Sequence, residues 1–185
     1  MKTPVHQHEP CLGTPIDVAP VPHEHVLVVA DSEVTDVEIL LDSLAEGTAV
    51  LRLSADLDPF PLVASALREH RPTQLHLICH GEPGAVRLGG AVITGEPLAT
   101  VLAAAHPAGL ESICLWACET ADGRAGRKFL QTLADRTGAR VHGAAGPVGN
   151  PDRGGSWELP ICAAPSTRSV QARLSRAGNP ALECL

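Results

Sequence analysis

Apolar and polar positions along this chain switch between two periods, and the switches mark out a series of strands and helices. His25-Val26-Leu27-Val28-Val29-Ala30 is continuous, apolar and rich in β-branched residues, and Asp31-Ser32 ends it, which predicts a buried strand. Val34, Val37, Leu40, Leu41 and Leu44 recur at helical spacing, and Gly47 supplies the stop. Ala49–Leu53 reads as a second strand. Asp58 before Pro59 opens a helix through Val63, Leu67 and Arg68, because the missing proline N–H costs nothing at a helix start. Gln74–Cys79 is a third strand, running into His80-Gly81. Val86–Leu88 and Ala91–Ile93 form a small hairpin about Gly89-Gly90. Glu96–Ala105 is helical, and Ser112–Ala117 is a fourth strand ending at Cys118. Gly126–Thr137 is a helix closed by Gly138, Arg140–Gly143 a fifth strand and Ser156–Ala163 a sixth. Ser166–Arg176 reads as a surface helix.

Repeated strand-helix-strand units with near-continuous apolar strands predict an α/β domain: a mainly parallel sheet of about six strands, covered by helices on both faces. Three segments follow from the pattern. Residues 1–23 form a flexible leader carrying Pro4, Pro10, Pro15, Pro20 and Pro22, residues 24–165 the domain, and residues 166–185 a helix with a frayed tail. In such sheets ligands collect outside the carboxyl ends of the strands. The first, third and fourth strands finish at Asp31, His80 and Cys118, which predicts three reactive side chains on one edge.

Composition narrows what that edge can serve. The chain has 185 residues, 44% of them hydrophobic, enough for the core of one domain. Its net charge of -7 lacks the basic footprint of a nucleic-acid surface. Aromatic residues are only 2% (Phe60, Trp116, Phe129 and Trp157), too few for a base-stacking platform. No apolar run approaches the roughly 20 residues of a membrane span, and the start, MKTPVHQHEP, has no secretory signal pattern, so a cytoplasmic location is expected. Cys11, Cys79, Cys114, Cys118, Cys162 and Cys184 never form a CxxC pair and are read as reduced thiols. The leader holds two His-x-His pairs, His6 with His8 and His23 with His25. Alternating histidines can bind metal, but no third ligand type stands at a fixed spacing, so they are read as solvated. No calcium loop of the DxDxDG kind is present. Neither a metal nor a cofactor is expected.

A thiolate attacking a carbonyl needs a proton donor for the leaving group and N–H groups for the oxyanion. Cys118 follows a buried strand and begins a tight turn, Cys118-Glu119-Thr120, ahead of a helix, which exposes its sulfur. His80 also follows a buried strand, and Gly81 lets a substrate approach the backbone. The N–H groups of Gly81 and Cys118 are the expected oxyanion donors. Trp116 lies two residues before Cys118, hence on the same strand face, where it either walls a pocket or fills core. The competing reading, in which His80 and Cys118 are ordinary strand-edge residues, stays open at this point.

The motifs Cys79-His80-Gly81, Ala117-Cys118 and Gly154-Gly155-Ser156-Trp157, each attached to an apolar strand, resemble the caspase-like domain of unknown function that heads many giant bacterial surface proteins. The likeness runs from about His25 to Ala163. More broadly, the chain is similar to the caspase, gingipain, separase and legumain group of cysteine peptidases. Two positions depart from the pattern: Cys79 stands where it usually has Ser, and Ala117 where it has Gly.

The resemblance implies a caspase-like three-layer sandwich and a His80–Cys118 dyad that cuts peptide bonds in a peptide or protein substrate. It also implies that the end of the first strand shapes the pocket for the residue before the scissile bond. An acid there, Asp31, suits a guanidinium, so cleavage after Arg, less well after Lys, is expected. The competing role for Asp31 is a cap on the following helix. With that preference, Arg153-Gly154 in an exposed loop becomes a site of autoprocessing. Some relatives pair through the sixth strand, which offers a homodimer edge here. Two other classes share these residues: a catalytically inactive binding or targeting module, and a thiol-dependent redox or acyl-transfer enzyme.

Overall fold

The computed structural model describes residues 26–35, 37–105 and 110–166. Short apolar runs pair there through their backbones into β1 (Val26–Asp31), β2 (Ala49–Leu53), β3 (Gln74–Ile78), β4 (His80–Glu82), β5 (Ala85–Leu88), β6 (Ala91–Thr94), β7 (Ser112–Trp116), β8 (Arg140–Gly143) and β9 (Ile161–Ala163). The helices are α1 (Val37–Asp42), α2 (Pro59–His70), α3 (Gly95–Ala105) and α4 (Gly123–Thr137). Six strands form one sheet in the order β2-β1-β3-β7-β8-β9, parallel from β2 to β8 and antiparallel only at β9. The predicted α/β class, with a six-stranded mainly parallel sheet and helices on both faces, is the observed one.

Period-2 alternation sorts the strand residues between two layers. Leu27, Val29, Leu75, Leu77, Ile113, Leu115 and Val141 face one way and join residues of α2, α3 and α4 in the main core. Val28, Ala30 and Ile78 face the other way and pack with Val37 and Leu41 of α1. Local chemistry sets the helix ends. The Asp58 carboxylate accepts the Phe60 N–H at 3.0 Å at the start of α2, and Gly138, at φ 80°, closes α4 by donating to the Ala134 carbonyl at 2.8 Å.

Three expectations are corrected. The sixth strand spans Ile161–Ala163, not Ser156–Ala163, and runs antiparallel. Pro160 has no N–H to donate, and before it Ser156 makes an isolated bridge with Val148 instead of joining the sheet. The hairpin gains a third strand because His80-Gly81-Glu82 pairs with Arg87-Val86-Ala85, giving a separate antiparallel sheet β4-β5-β6. The first helix is six residues long, Val37–Asp42, with Val34 joined to it by a turn in which the Val37 N–H donates to the Val34 carbonyl. The leader and the expected C-terminal helix beyond Ser166 lie outside the described residues. β9 has β8 as its sheet partner and forms one border of the sheet. Among the described residues no helix is long and apolar enough to cross a membrane.

Candidate active site

Strand register decides which side chains meet. Ala30, Ile78 and Trp116 stand side by side across β1, β3 and β7. One residue on, Asp31, Cys79 and Ala117 turn into the main-core side, where all three are buried. Two residues on, His80 and Cys118 return to the α1 side, and both open on one cleft. This cleft has a volume of about 630 Å³ and lies over the carboxyl ends of β1, β3 and β7. Its walls come from those strands, from α1 and from the loop between β8 and β9.

Asp31 is therefore not a pocket residue. It is 1% exposed and forms no part of the cleft wall. Its Oδ1 accepts the Glu33 N–H at 2.9 Å and its Oδ2 accepts the Gly89 N–H at 2.8 Å. The expected Arg-binding role is corrected by this occupancy. The carboxylate faces the core side because it is one residue out of step with His80 and Cys118. Its work is to tie the turn after β1 to the β5–β6 hairpin.

That turn holds the histidine. His80 Nε2 lies 3.2 Å from the Glu33 carbonyl oxygen. A carbonyl can only accept, so Nε2 donates in this contact, and in the tautomer that does so Nδ1 is the nitrogen with the lone pair. Asp31 thus acts on His80 through Glu33, anchoring the N–H of the residue whose C=O orients the imidazole.

Cys118 begins a turn whose next residue, Glu119, holds a left-handed φ of 59°, a conformation that a non-glycine residue adopts at a cost. The loop from β8 fixes it: the Glu119 N–H donates to the Gly146 carbonyl at 3.0 Å and the Ala121 N–H to the Ala144 carbonyl at 2.9 Å. The sulfur accepts the Val148 N–H at 3.3 Å and lies 3.7 Å from the Val148 carbonyl oxygen. The Cys118 N–H donates to no other described residue. His80 and Cys118 share the cleft without a hydrogen bond between them.

Gly81 fits because there is no room for anything larger. A Cβ there would stand 2.5 Å from the Cys118 carbonyl oxygen and 2.9 Å from the Ala117 Cβ. The close approach draws the strand ends bearing His80 and Cys118 together. The Gly154-Gly155-Ser156-Trp157 motif acts in a similar way. A Cβ on Gly155 would meet the Gly149 backbone at 2.7 Å, and the Gly149 N–H donates to the Ser156 carbonyl at 3.1 Å. The loop folded by these contacts presents Val148 to the sulfur and Trp157 to the cleft.

Trp116 lines the cleft, the first of the two roles open to it from its place on the strand. Its Nε1–H donates to His76 Nδ1 at 3.0 Å, and the rings stack with centroids 6.2 Å apart. Burial holds the His76 pKa below its ordinary value, and a ring accepting on Nδ1 is the neutral tautomer with Nε2–H. His76 was not singled out as a site residue by sequence reasoning, although alternation through Gln74-Leu75-His76-Leu77-Ile78 puts it on the His80 face. Arg153 also reaches the cleft, but its bond to Gly154 sits in a tight 3₁₀ turn, Pro151–Arg153, closed by Gly154 at φ 80°. The expected autoprocessing bond is thus coiled in a turn instead of extended along the cleft.

Cys79, Cys114, Cys118 and Cys162 form no disulfide among the described residues. Burial, with Asp31 nearby, pushes the Cys79 thiol well above the usual range, and burial beside Cys162 pushes Cys114 up to about 11. Among the described residues no three His, Cys, Asp or Glu side chains cluster as a metal site.

One comparison bears on the whole domain. The family model described as "Domain of unknown function (DUF4347)" matches residues 27–177. The chain belongs to this family. No curated protein matches it. The DUF4347 match includes β1 from Leu27 on, His80, Cys118 and the Gly154-Gly155-Ser156-Trp157 loop, so the described cleft wall lies within the family's domain.

Proposed function

We propose that this DUF4347 domain is a cysteine peptidase in which Cys118 is the nucleophile and His80 moves the proton. The observation that carries the reading is that thiol and imidazole open on one cleft, with His80 Nδ1 left basic by the Glu33 carbonyl. The resemblance of the His-Gly and Cys motifs to caspase-like peptidases points the same way. In the proposed reaction Nδ1 takes the Cys118 proton and the sulfur bonds to the scissile carbonyl carbon, whose π pair moves to oxygen. The Cys118 N–H, which has no acceptor among the described residues, and the Gly81 N–H stabilise that oxyanion. The oxyanion collapses, the C–N bond breaks, and the leaving nitrogen takes the proton from His80. Water then adds to the thioester, giving up a proton to His80, and expels the Cys118 sulfur. Separation of the two side chains at rest is compatible with this, since catalytic hydrogen bonds tighten when substrate is bound. The reading carries no preference for Arg, because Asp31 is committed to two backbone N–H groups.

A second reading, a cleft that binds peptides without cutting them, is favoured by one detail: the sulfur contacts Val148 and not His80. Acyloxymethyl ketone peptides with a range of side chains beside the reactive group separate the two. The peptidase predicts a Cys118 adduct by mass spectrometry that slows roughly a hundredfold or more in His80→Ala. Absence of any adduct on folded protein, or equal labelling of His80→Ala, would overturn the proposal.

A further inference from the structure

We infer that the cleft selects a bulky uncharged side chain, such as that of Leu, Met or Phe, at the residue whose carbonyl faces Cys118. This rests on the peptidase reading for its chemistry, but not for its binding preference. Much of the cleft wall is apolar: Val28 and Ile78 from the sheet, Leu44 from the turn after α1, and Trp116, which pairs with Ile78 and lies two residues before Cys118 on the same strand face. The floor is polar without being charged, because His76 accepts the Trp116 Nε1–H on Nδ1 and burial favours its neutral form. No Asp or Glu is among the described residues that line the cleft. A charged side chain entering here would lose water and meet no carboxylate among those described residues, which is the costly way to bury a charge. An aliphatic or aromatic side chain loses nothing polar and gains contact with the wall. The volume of about 630 Å³ falls in the roughly 300–1,000 Å³ range of ligand pockets, room for such a side chain and its neighbours.

Both tryptophans of the chain, Trp116 and Trp157, line this cleft, so their fluorescence reports its occupancy without any need for turnover. The test titrates full-length Cys118→Ala with capped tetrapeptides that differ only in a final Leu, Phe, Arg or Asp. The expected result is saturable binding of the Leu and Phe peptides, at least tenfold tighter than Arg or Asp. Ser43→Glu, an exposed position on the cleft wall, places a carboxylate there without touching the core. It should narrow the gap between Leu and Arg peptides by roughly tenfold, whereas Ser43→Gln should leave it. Arg or Asp peptides binding as tightly as Leu, or no saturable signal from any peptide, overturns the inference. A peptide preference that survives while ketone probes leave Cys118 unlabelled refutes the peptidase reading alone.

Discussion

Asp31→Ala tests the reassignment of that carboxylate from substrate pocket to internal anchor. The side chain satisfies two backbone donors: the Gly89 N–H, which is buried, and the Glu33 N–H, which is part-buried. Removing it leaves a buried donor unmet, at roughly 1–3 kcal/mol, and a second that water repairs in part, at about 1 kcal/mol, for a total near 2–4 kcal/mol. Asp31→Asn keeps one acceptor oxygen and should lose about half as much. Urea unfolding measures both, with the slope m unchanged if the denatured state is unaffected. Labelling of Cys118 should slow for all probe side chains alike, since what is loosened is the turn that orients His80. An Asp31→Ala protein within about 0.5 kcal/mol of wild type would refute the anchor role. A selective loss of Arg recognition at unchanged stability would restore the pocket role.

Other consequences of the fold are open to measurement. Gly81→Ala drives a methyl group against the Cys118 carbonyl and Ala117, so it should cost about 1–3 kcal/mol in urea unfolding; unchanged stability would mean that the strand ends are not in contact. Iodoacetamide at about pH 8 should modify Cys118 well before Cys79 and Cys114, whose thiols burial holds in the protonated form, and peptide mapping that finds Cys79 or Cys114 modified first would contradict the arrangement. Burial also lowers the His76 and His142 pKa values from 6.5, with Arg140 adding to the effect at His142. The unfolded chain then binds protons first as the pH drops, so stability present above about 6.5 is lost as the pH falls through the lowered values of the folded state. The urea midpoint should fall on acidification below about pH 6.5, and His76→Gln should flatten that slope; an identical slope would remove His76 from the effect.

Much of the fold is written in periodicity. β2 and β8 occupy the expected residues, because β-branched and leucine-rich runs bounded by turn residues have one reading. β9 is shorter than expected because Pro160 interrupts a run that hydrophobicity alone would extend. His80 and Cys118 were found by the strand-end rule and do share a cleft. The same rule misassigned Asp31, since ending at one edge of a sheet does not mean facing one side of it. Register supplies what the rule lacks: Ala30 pairs with Ile78, so Asp31 pairs in phase with Cys79 and not with His80. The bond from the Glu33 carbonyl to the imidazole spans 47 positions and involves a main-chain atom, so no side-chain motif encodes it.

The linkage from Gly89 through Asp31 and Glu33 to His80 makes the hairpin a lever on the imidazole. Gly89 and Gly90 at its tip are nested against the main chain before α2, where added Cβ atoms would lie 2.5 Å from the Leu57 oxygen and 2.8 Å from the Ala55 oxygen. Lifting the tip out of that seat would pull on His80 by two routes, through Asp31 and through the pairing of Arg87 with His80. A methyl group at position 90, which touches no residue of the cleft wall, is thus coupled to the His80 ring through the main chain.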